Sequence, residues 1–340
     1  MTFTGLFSTT YAAPDMKEAK RFFGDWGLKK IAERRDGVIF ETSLGCQVII
    51  RPPGSPLLPV AAREGMNFRE MVWGVSSKTH LAKIKQELSR DRKVDIHADG
   101  SIHTYDPAGI GLGFRVWNPP KANTNTSRAS INSYDKTERV NEIGAVYQQA
   151  LPLRMGHIGF LVPDLREEEK FYRERLGFWL SDRYVGGAAF FLRCAAKSQH
   201  HNLFMIWSES GALRHHHTAY EVRDFHEVFG GGVAFDRKGW ETEVGPGRHP
   251  ISSAYFWYFK NNFLDKNLNF KRSIISNSGI NFDQEIIKRN KILDSKNETN
   301  SKNLSLKNIF ADIDFFSTDD EGQNSIRFDA RTIEQLFEDT

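Results

Sequence analysis

Apolar and polar positions along the chain fall into a pattern that occurs twice. Residues Pro14 to Leu28 read Pro-Asp, then a charged stretch, then Phe22-Phe23, then Gly27 and an apolar residue. Residues Pro163 to Phe178 repeat that order, with Phe171-Tyr172 as the aromatic pair and Gly177 at the end. Pro-Asp ahead of a charged, periodic stretch is a helix start, and the glycine closes the helix. The aromatic pairs are predicted to face inward. Short β-prone runs flank each helix: Phe7–Tyr11 before the first, Val38–Thr42 and Gln47–Ile50 after it; His157–Val162 before the second, Ala188–Arg193 and Asn202–Trp207 after it. Each unit therefore reads strand, helix, then a meander of strands. A further such unit follows each, opening at Glu70–Val75 and at His217–Val222.

Four related units imply an α+β fold of two domains, each a pair of βαβββ modules. The expected boundaries are residues 4–118, a linker at 119–150, and 151–261. The linker carries Pro-Pro and Asn-Thr-Asn-Thr-Ser, which favours exposed, irregular chain. Beyond 261 the composition changes. From Phe263 to Thr340 there is no Val, Pro, Tyr, Trp, His, Met or Cys, and Asn, Lys and Ser are abundant. The expectation for 262–340 is a disordered or foreign tail, with the last module truncated and its last strand missing.

Composition narrows the function. The net charge is +3, and basic residues are interleaved with acidic ones, which speaks against a nucleic-acid groove. The two cysteines, Cys46 and Cys194, are far apart and form no CxxC, so neither a disulfide framework nor a thiolate zinc site is expected. The start of the chain has no signal-peptide pattern, and no apolar run reaches membrane-spanning length; a cytoplasmic protein without membrane contact is expected. Histidine is unevenly spread, with eight of eleven between His157 and His249. His157 and His217 each open the first strand of a module in the second half. If the two modules pack about a pseudo-twofold axis, these imidazoles meet in the floor of a cupped sheet. Two such ligands with a carboxylate make the facial arrangement that suits non-haem Fe(II).

The second half resembles the catalytic domain of type I extradiol catechol dioxygenases, including those acting on dihydroxybiphenyl, within the vicinal-oxygen-chelate superfamily. The stretches that carry the resemblance are Met155–Phe160 with Pro163-Asp164, Phe191–His201, Leu213–Val222, Gly245–Pro250 and Tyr258, in the family's order. The resemblance covers both domains, to about Asn261. It implies Fe(II), dioxygen, a catechol-type aromatic substrate and a homo-oligomer. It implies His157 and His217 as metal ligands, with His216 the alternative to His217. It implies His201 as the acid–base residue of oxygen activation, and His249 and Tyr258 as partners of the substrate's oxygens. His200, His215 and His226 are expected to be bystanders. The first half has Ser8 and Glu70 at the positions of His157 and His217, so it resembles the family's metal-free domain.

One part departs from the family. The third ligand should be a Glu on the last strand, after an Asp/Asn-Pro-x-Gly turn. The first half has that turn as Asp106–Gly109, followed by Leu112–Trp117. The second half continues instead as Asn262-Phe-Leu-Asp-Lys-Asn-Leu268, with Leu268 at the expected Glu position. Asp265, Asp312 and Asp314 are candidate substitutes, and the change of composition suggests a shifted reading frame. Loss of the carboxylate should weaken iron binding. The alternatives are a glyoxalase-like metal enzyme and a non-catalytic binding module of the bleomycin-resistance kind.

Overall fold

The computed structural model describes residues 2–121, 130–184 and 187–261, and the backbone of 272–277. The first half contains β1 (Phe3–Ala12), α1 (Met16–Asp25), β2 (Lys29–Arg34), β3 (Gly37–Glu41), β4 (Gln47–Arg51), β5 (Phe68–Val75), α2 (Lys78–Leu88), β6 (Asp95–Ile96), β7 (Ile102–Tyr105) and β8 (Gly111–Val116). The second contains β9 (Arg154–Val162), α3 (Leu165–Lys170, extended by a π-helical turn Phe171–Arg175), β10 (Trp179–Arg183), β11 (Ala189–Arg193), β12 (Leu203–Trp207), β13 (Arg214–Glu221), α4 (Phe225–Asp236), β14 (Thr242–Arg248), β15 (Tyr255–Lys260) and β16 (Arg272–Asn277). Each half is one eight-stranded sheet. The orders, β2-β3-β4-β1-β5-β8-β7-β6 and β10-β11-β12-β9-β13-β16-β15-β14, are the same pattern written twice. The α+β class and the paired modules read from the sequence are those of the structure. Among the described residues no helix is long and apolar enough to cross a membrane.

The repeated helix starts form as their residues dictate. Asp15 accepts a hydrogen bond from the Glu18 amide, and Asp164 accepts from the amides of Arg166 and Glu167. Both are N-caps that satisfy otherwise unpaired donors. Gly27 and Gly177 end the helices with φ of 92° and 79°, a region that disfavours side chains.

The last strand is a correction to the sequence reading. The second module is not left open at residue 261. β16 pairs parallel with β13, His217 opposite Arg272, and antiparallel with β15, Tyr258 opposite Ile274. A sheet ladder is made by backbone groups, so the slot between β13 and β15 accepts any segment that can extend. Arg-Ser-Ile-Ile-Ser-Asn has two β-branched residues and no proline. The family pattern has this strand immediately after a short turn, and the sequence reading expected it to be missing here; the structure begins it at Arg272. Leu268, Asp265, Asp312, Asp314 and the rest of the expected disordered tail lie outside the described residues.

The two sheets share one apolar core, and the helices bind it together crosswise. On α1, Phe22 meets Phe235 edge-on at 5.2 Å and Trp240 at 5.0 Å, both from the second half. On the other side, Phe178 after α3 packs on Phe3 at 4.9 Å and on Trp73 at 5.1 Å. Tyr11 and Thr218 hydroxyls lie 2.8 Å apart across the seam. The seam therefore fixes how β9 and β13 sit.

Polar groups are also buried at the seam. Glu168 on α3 is 1% exposed and accepts from the Ala108 amide at 2.7 Å. Asp106, in the same turn as Ala108, accepts from Tyr172 Oη at 3.1 Å. Burial, reinforced by repulsion from Asp106, pushes the Glu168 carboxyl far above the ordinary carboxylate range. The hydrogen bond from Ala108 and, after it, Arg92 oppose the shift. The native state thus holds a proton that the unfolded chain releases near its ordinary pKa. Stability is then greatest at and below the ordinary carboxylate range and declines as pH rises towards the raised pKa, by about 1.4 kcal/mol per pH unit for one proton. Glu168→Gln keeps the acceptor for Ala108 and removes the titration. The variant's melting temperature should fall less between pH 5 and pH 9 than that of the parent. Parallel curves for the two proteins would show that the proton is not held there.

Candidate active site

β9 and β13 run antiparallel at the centre of the second sheet, with His157 opposite Ala219 and Gly159 opposite His217. The offset sets the two imidazoles side by side on neighbouring strands. Their Nε2 atoms are 2.8 Å apart, and the ring planes meet at 89°. Nitrogens at that separation are close enough to share one ion. Gly159 makes this arrangement possible. A Cβ there would lie 2.9 Å from Cε1 of His217 and 3.3 Å from Phe204, so any side chain would push the ring aside. The sequence reading did not single out Gly159; its place opposite a ligand candidate, two residues after another, was the available signal.

The remaining predicted residues gather around this pair. The His201 ring lies 4.0 Å from that of His157, centroid to centroid. Tyr258, on β15, lies 5.6 Å from His217 by the same measure. His249 follows β14, stacks on Phe256 at 3.9 Å, and its Nε2 is 3.1 Å from Tyr258 Oη. The five residues chosen from sequence are thus brought to one place. His216 is placed differently: its Nδ1 contacts Nδ1 of His217 at 2.5 Å, so it abuts the far side of that ring. His215 points into the seam, stacked on Phe68 at 4.8 Å with its Nε2 2.9 Å from the Thr218 hydroxyl. His200, expected to be a bystander, is buried with its Nδ1 2.9 Å from Nδ1 of His201.

Burial sets the electrostatics. It lowers the His157 pKa to about 3 and that of His249 to about 4, with neighbouring imidazoles adding to the effect. His201 and His217 are driven well below the ordinary histidine value, again chiefly by burial. The cluster is therefore uncharged at neutral pH, with lone pairs available to a cation without loss of a proton.

The donor set fits part of a non-haem iron centre. Two converging neutral imidazoles suit a divalent ion of this kind. Among the described residues, no group of three or more His, Cys, Asp or Glu side chains is arranged to hold a metal ion. β16, which closes the sheet beside His217 and Tyr258, contains no Asp or Glu. Among the described residues, His157 and His217 are thus the two that could fill places of a facial set.

The first half shows what the same scaffold holds with other residues. Thr10 pairs with Glu70 and Ser8 with Val72, as Gly159 pairs with His217 and His157 with Ala219. Ser8 and Glu70 are therefore the structural counterparts of His157 and His217. Glu70 Oε1 is engaged by His103 Nδ1 at 2.6 Å, and His103 Nε2 by Ser101 Oγ at 2.7 Å.

This duplicated sheet and its histidine cup define a class. Residues 154–268 match the family model of the Glyoxalase/Bleomycin resistance protein/Dioxygenase superfamily. Among curated proteins it is similar to metapyrocatechase 2 of Cupriavidus necator, 29% identical over 160 residues, which are 47% of this chain and 49% of that protein. It is also similar to 2,2',3-trihydroxybiphenyl dioxygenase of Sphingomonas paucimobilis, 28% identical over 109 residues, which are 31% of this chain and 36% of that protein. The matches thus span about half or less of these relatives' lengths. Solved structures with the same fold include the 2,3-dioxygenase LapB from Pseudomonas sp. KL28, with TM-score 0.63, 16% identity, and coverage of 84% of this chain and 96% of that one. The Mn(II)-bound glyoxalase from Novosphingobium aromaticivorans gives TM-score 0.62 and 17% identity, covering 84% of this chain and 85% of that one.

Proposed function

We propose that this chain is an extradiol-type dioxygenase that binds Fe(II) and a catechol-type aromatic, impaired by the loss of its carboxylate ligand. The observation that carries the reading is the His157–His217 pair, with its Nε2 atoms 2.8 Å apart, ringed by His201, His249 and Tyr258. His157 and His217 would hold the ion. Bound Fe(II) would supply joint binding of a catecholate and dioxygen, and a path for electrons between them. The protein's own groups supply the rest. Tyr258 Oη and His249 Nε2 form one hydrogen-bonded edge, suited to hold a substrate oxygen after it gives up its proton. His201 is uncharged in its buried setting, so its imidazole can take a proton from the reacting species and return it. The aromatic walls, Phe191 at 5.0 Å from His201 and Phe204 at 6.1 Å from His217, exclude water and suit a flat ring.

The test is reconstitution with Fe(II) under anaerobic conditions, followed by catechol and oxygen. The expected result is measurable but slow formation of a yellow ring-opened product. A second reading, a binding module without turnover, is favoured by the absence of Asp and Glu from β16. It predicts saturable catechol binding without iron and no product with iron.

A further inference from the structure

We infer that the seam between the two halves holds a second ligand site, separate from the histidine cup, built for a planar aromatic molecule bearing a carboxylate or sulfonate. A cavity of about 620 Å³ opens there. Its apolar walls come from both halves: Phe3, Leu6 and Trp117 from the first, Met155 and Cys194 from the second. None of His157, His201, His217, His249 or Tyr258 lines it.

Its polar groups point to the ligand's charge. Arg154 and Lys197 line the cavity, and no Asp or Glu does. Arg154 gives Nε to Glu221 at 2.8 Å, which leaves its two terminal amino groups without a hydrogen bond among the described residues. Lys197 is exposed and makes no ion pair among those residues. Counting Glu221 against them, the local charge is positive.

Gln199 adds a neutral polar group to the wall. It is 8% exposed and lines the cavity, yet its amide has no hydrogen-bond partner among the described residues. Its amide atoms are not sealed from solvent and stay open to whatever enters the cavity. Its neighbour Asn202 shows the contrast. That amide accepts from the Cys194 amide at 3.0 Å and from Ser198 Oγ at 3.0 Å, and donates to the Gly156 carbonyl at 2.9 Å. Asn202 builds the wall, while Gln199 is left to meet a ligand. A flat body against Trp117 and Leu6 with an anionic group towards Lys197 and Arg154 meets all these groups at once.

The experiment is calorimetric titration of the full chain with naphthalene-2-sulfonate, and with 2-naphthol as the neutral counterpart. One saturable site is expected, with the neutral molecule bound at least tenfold more weakly. Lys197→Glu, at an exposed position, should weaken binding at least fivefold. Ala195→Trp, on the cavity wall, should remove it while the circular dichroism and melting temperature stay those of the parent. Excess catechol should leave the titration unchanged. The proposal is overturned by absence of saturable binding, by equal binding of the neutral molecule, by binding that Ala195→Trp leaves intact, or by displacement with catechol, which would put the probe in the histidine cup.

Discussion

His217→Ala is expected to weaken retention of Fe(II) about a hundredfold, whereas His216→Ala should change it much less. His217 is 2% exposed, its ring is held by the gap above Gly159, and its Nε2 meets that of His157. With no carboxylate beside the pair among the described residues, each imidazole is half of what those residues offer a metal. Removing one leaves a single ligand, which cannot hold the ion against water. His216 touches only the Nδ1 side of His217, so its removal disturbs the orientation of a ligand, an effect of about tenfold. Anaerobic equilibrium dialysis followed by metal analysis distinguishes the two. Equal losses in both variants would return His216 to contention as the ligand. Unchanged retention in both would remove the pair from the metal site altogether. Near-ultraviolet circular dichroism serves as the control for folding.

The largest effect on stability is expected from Trp26→Ala, a loss of about 3–5 kcal/mol in urea unfolding. Trp26 is 1% exposed at the end of α1, yet most of its ring contacts belong to the other half of the chain. It stacks on Phe22 at 5.5 Å and meets Phe235 at 4.8 Å, Tyr220 at 5.8 Å and Phe259 at 5.9 Å, all edge-on. Truncation would open a cavity where the two halves join, and neither sheet could move to fill it without breaking the seam. Trp26→Phe should cost far less, under about 1.5 kcal/mol. It keeps an aromatic ring and removes an indole N–H that is buried without a partner among the described residues. If the two variants lose equal stability, ring packing at this point is not what holds the halves together.

Much of this arrangement could be read from the chain, and the parts that could not share a physical cause. The helix starts at Asp15 and Asp164, the inward aromatic pairs and the central strands were legible because capping and periodicity are local. The convergence of His157 and His217 followed from the duplication, since equivalent strands of paired modules must lie side by side. What each helix packs against was not legible. Nothing in Pro14–Leu28 says that Phe22 will rest on Phe235 and Trp240 rather than on its own sheet. Gly159, His200 and Gln199 were missed for a related reason. Their significance depends on a neighbour that arrives from elsewhere in the chain, and no spacing rule encodes it. The strand at Arg272–Asn277 was missed because the reading looked for a turn motif and a ligand, while the slot asks only for extended backbone.

That last point reaches beyond this chain. In β16 the structural demand of the position and the demand of the proposed chemistry come apart: the ladder closes on either side, and the carboxylate that the proposed chemistry calls for is absent from it. A lineage could therefore exchange everything after the penultimate strand and still produce a protein that hides its hydrogen-bonding rim and escapes aggregation. Solubility would not register the exchange; only an assay of the reaction would. Screens that select for well-behaved expression would pass such chimaeras as readily as their intact ancestors.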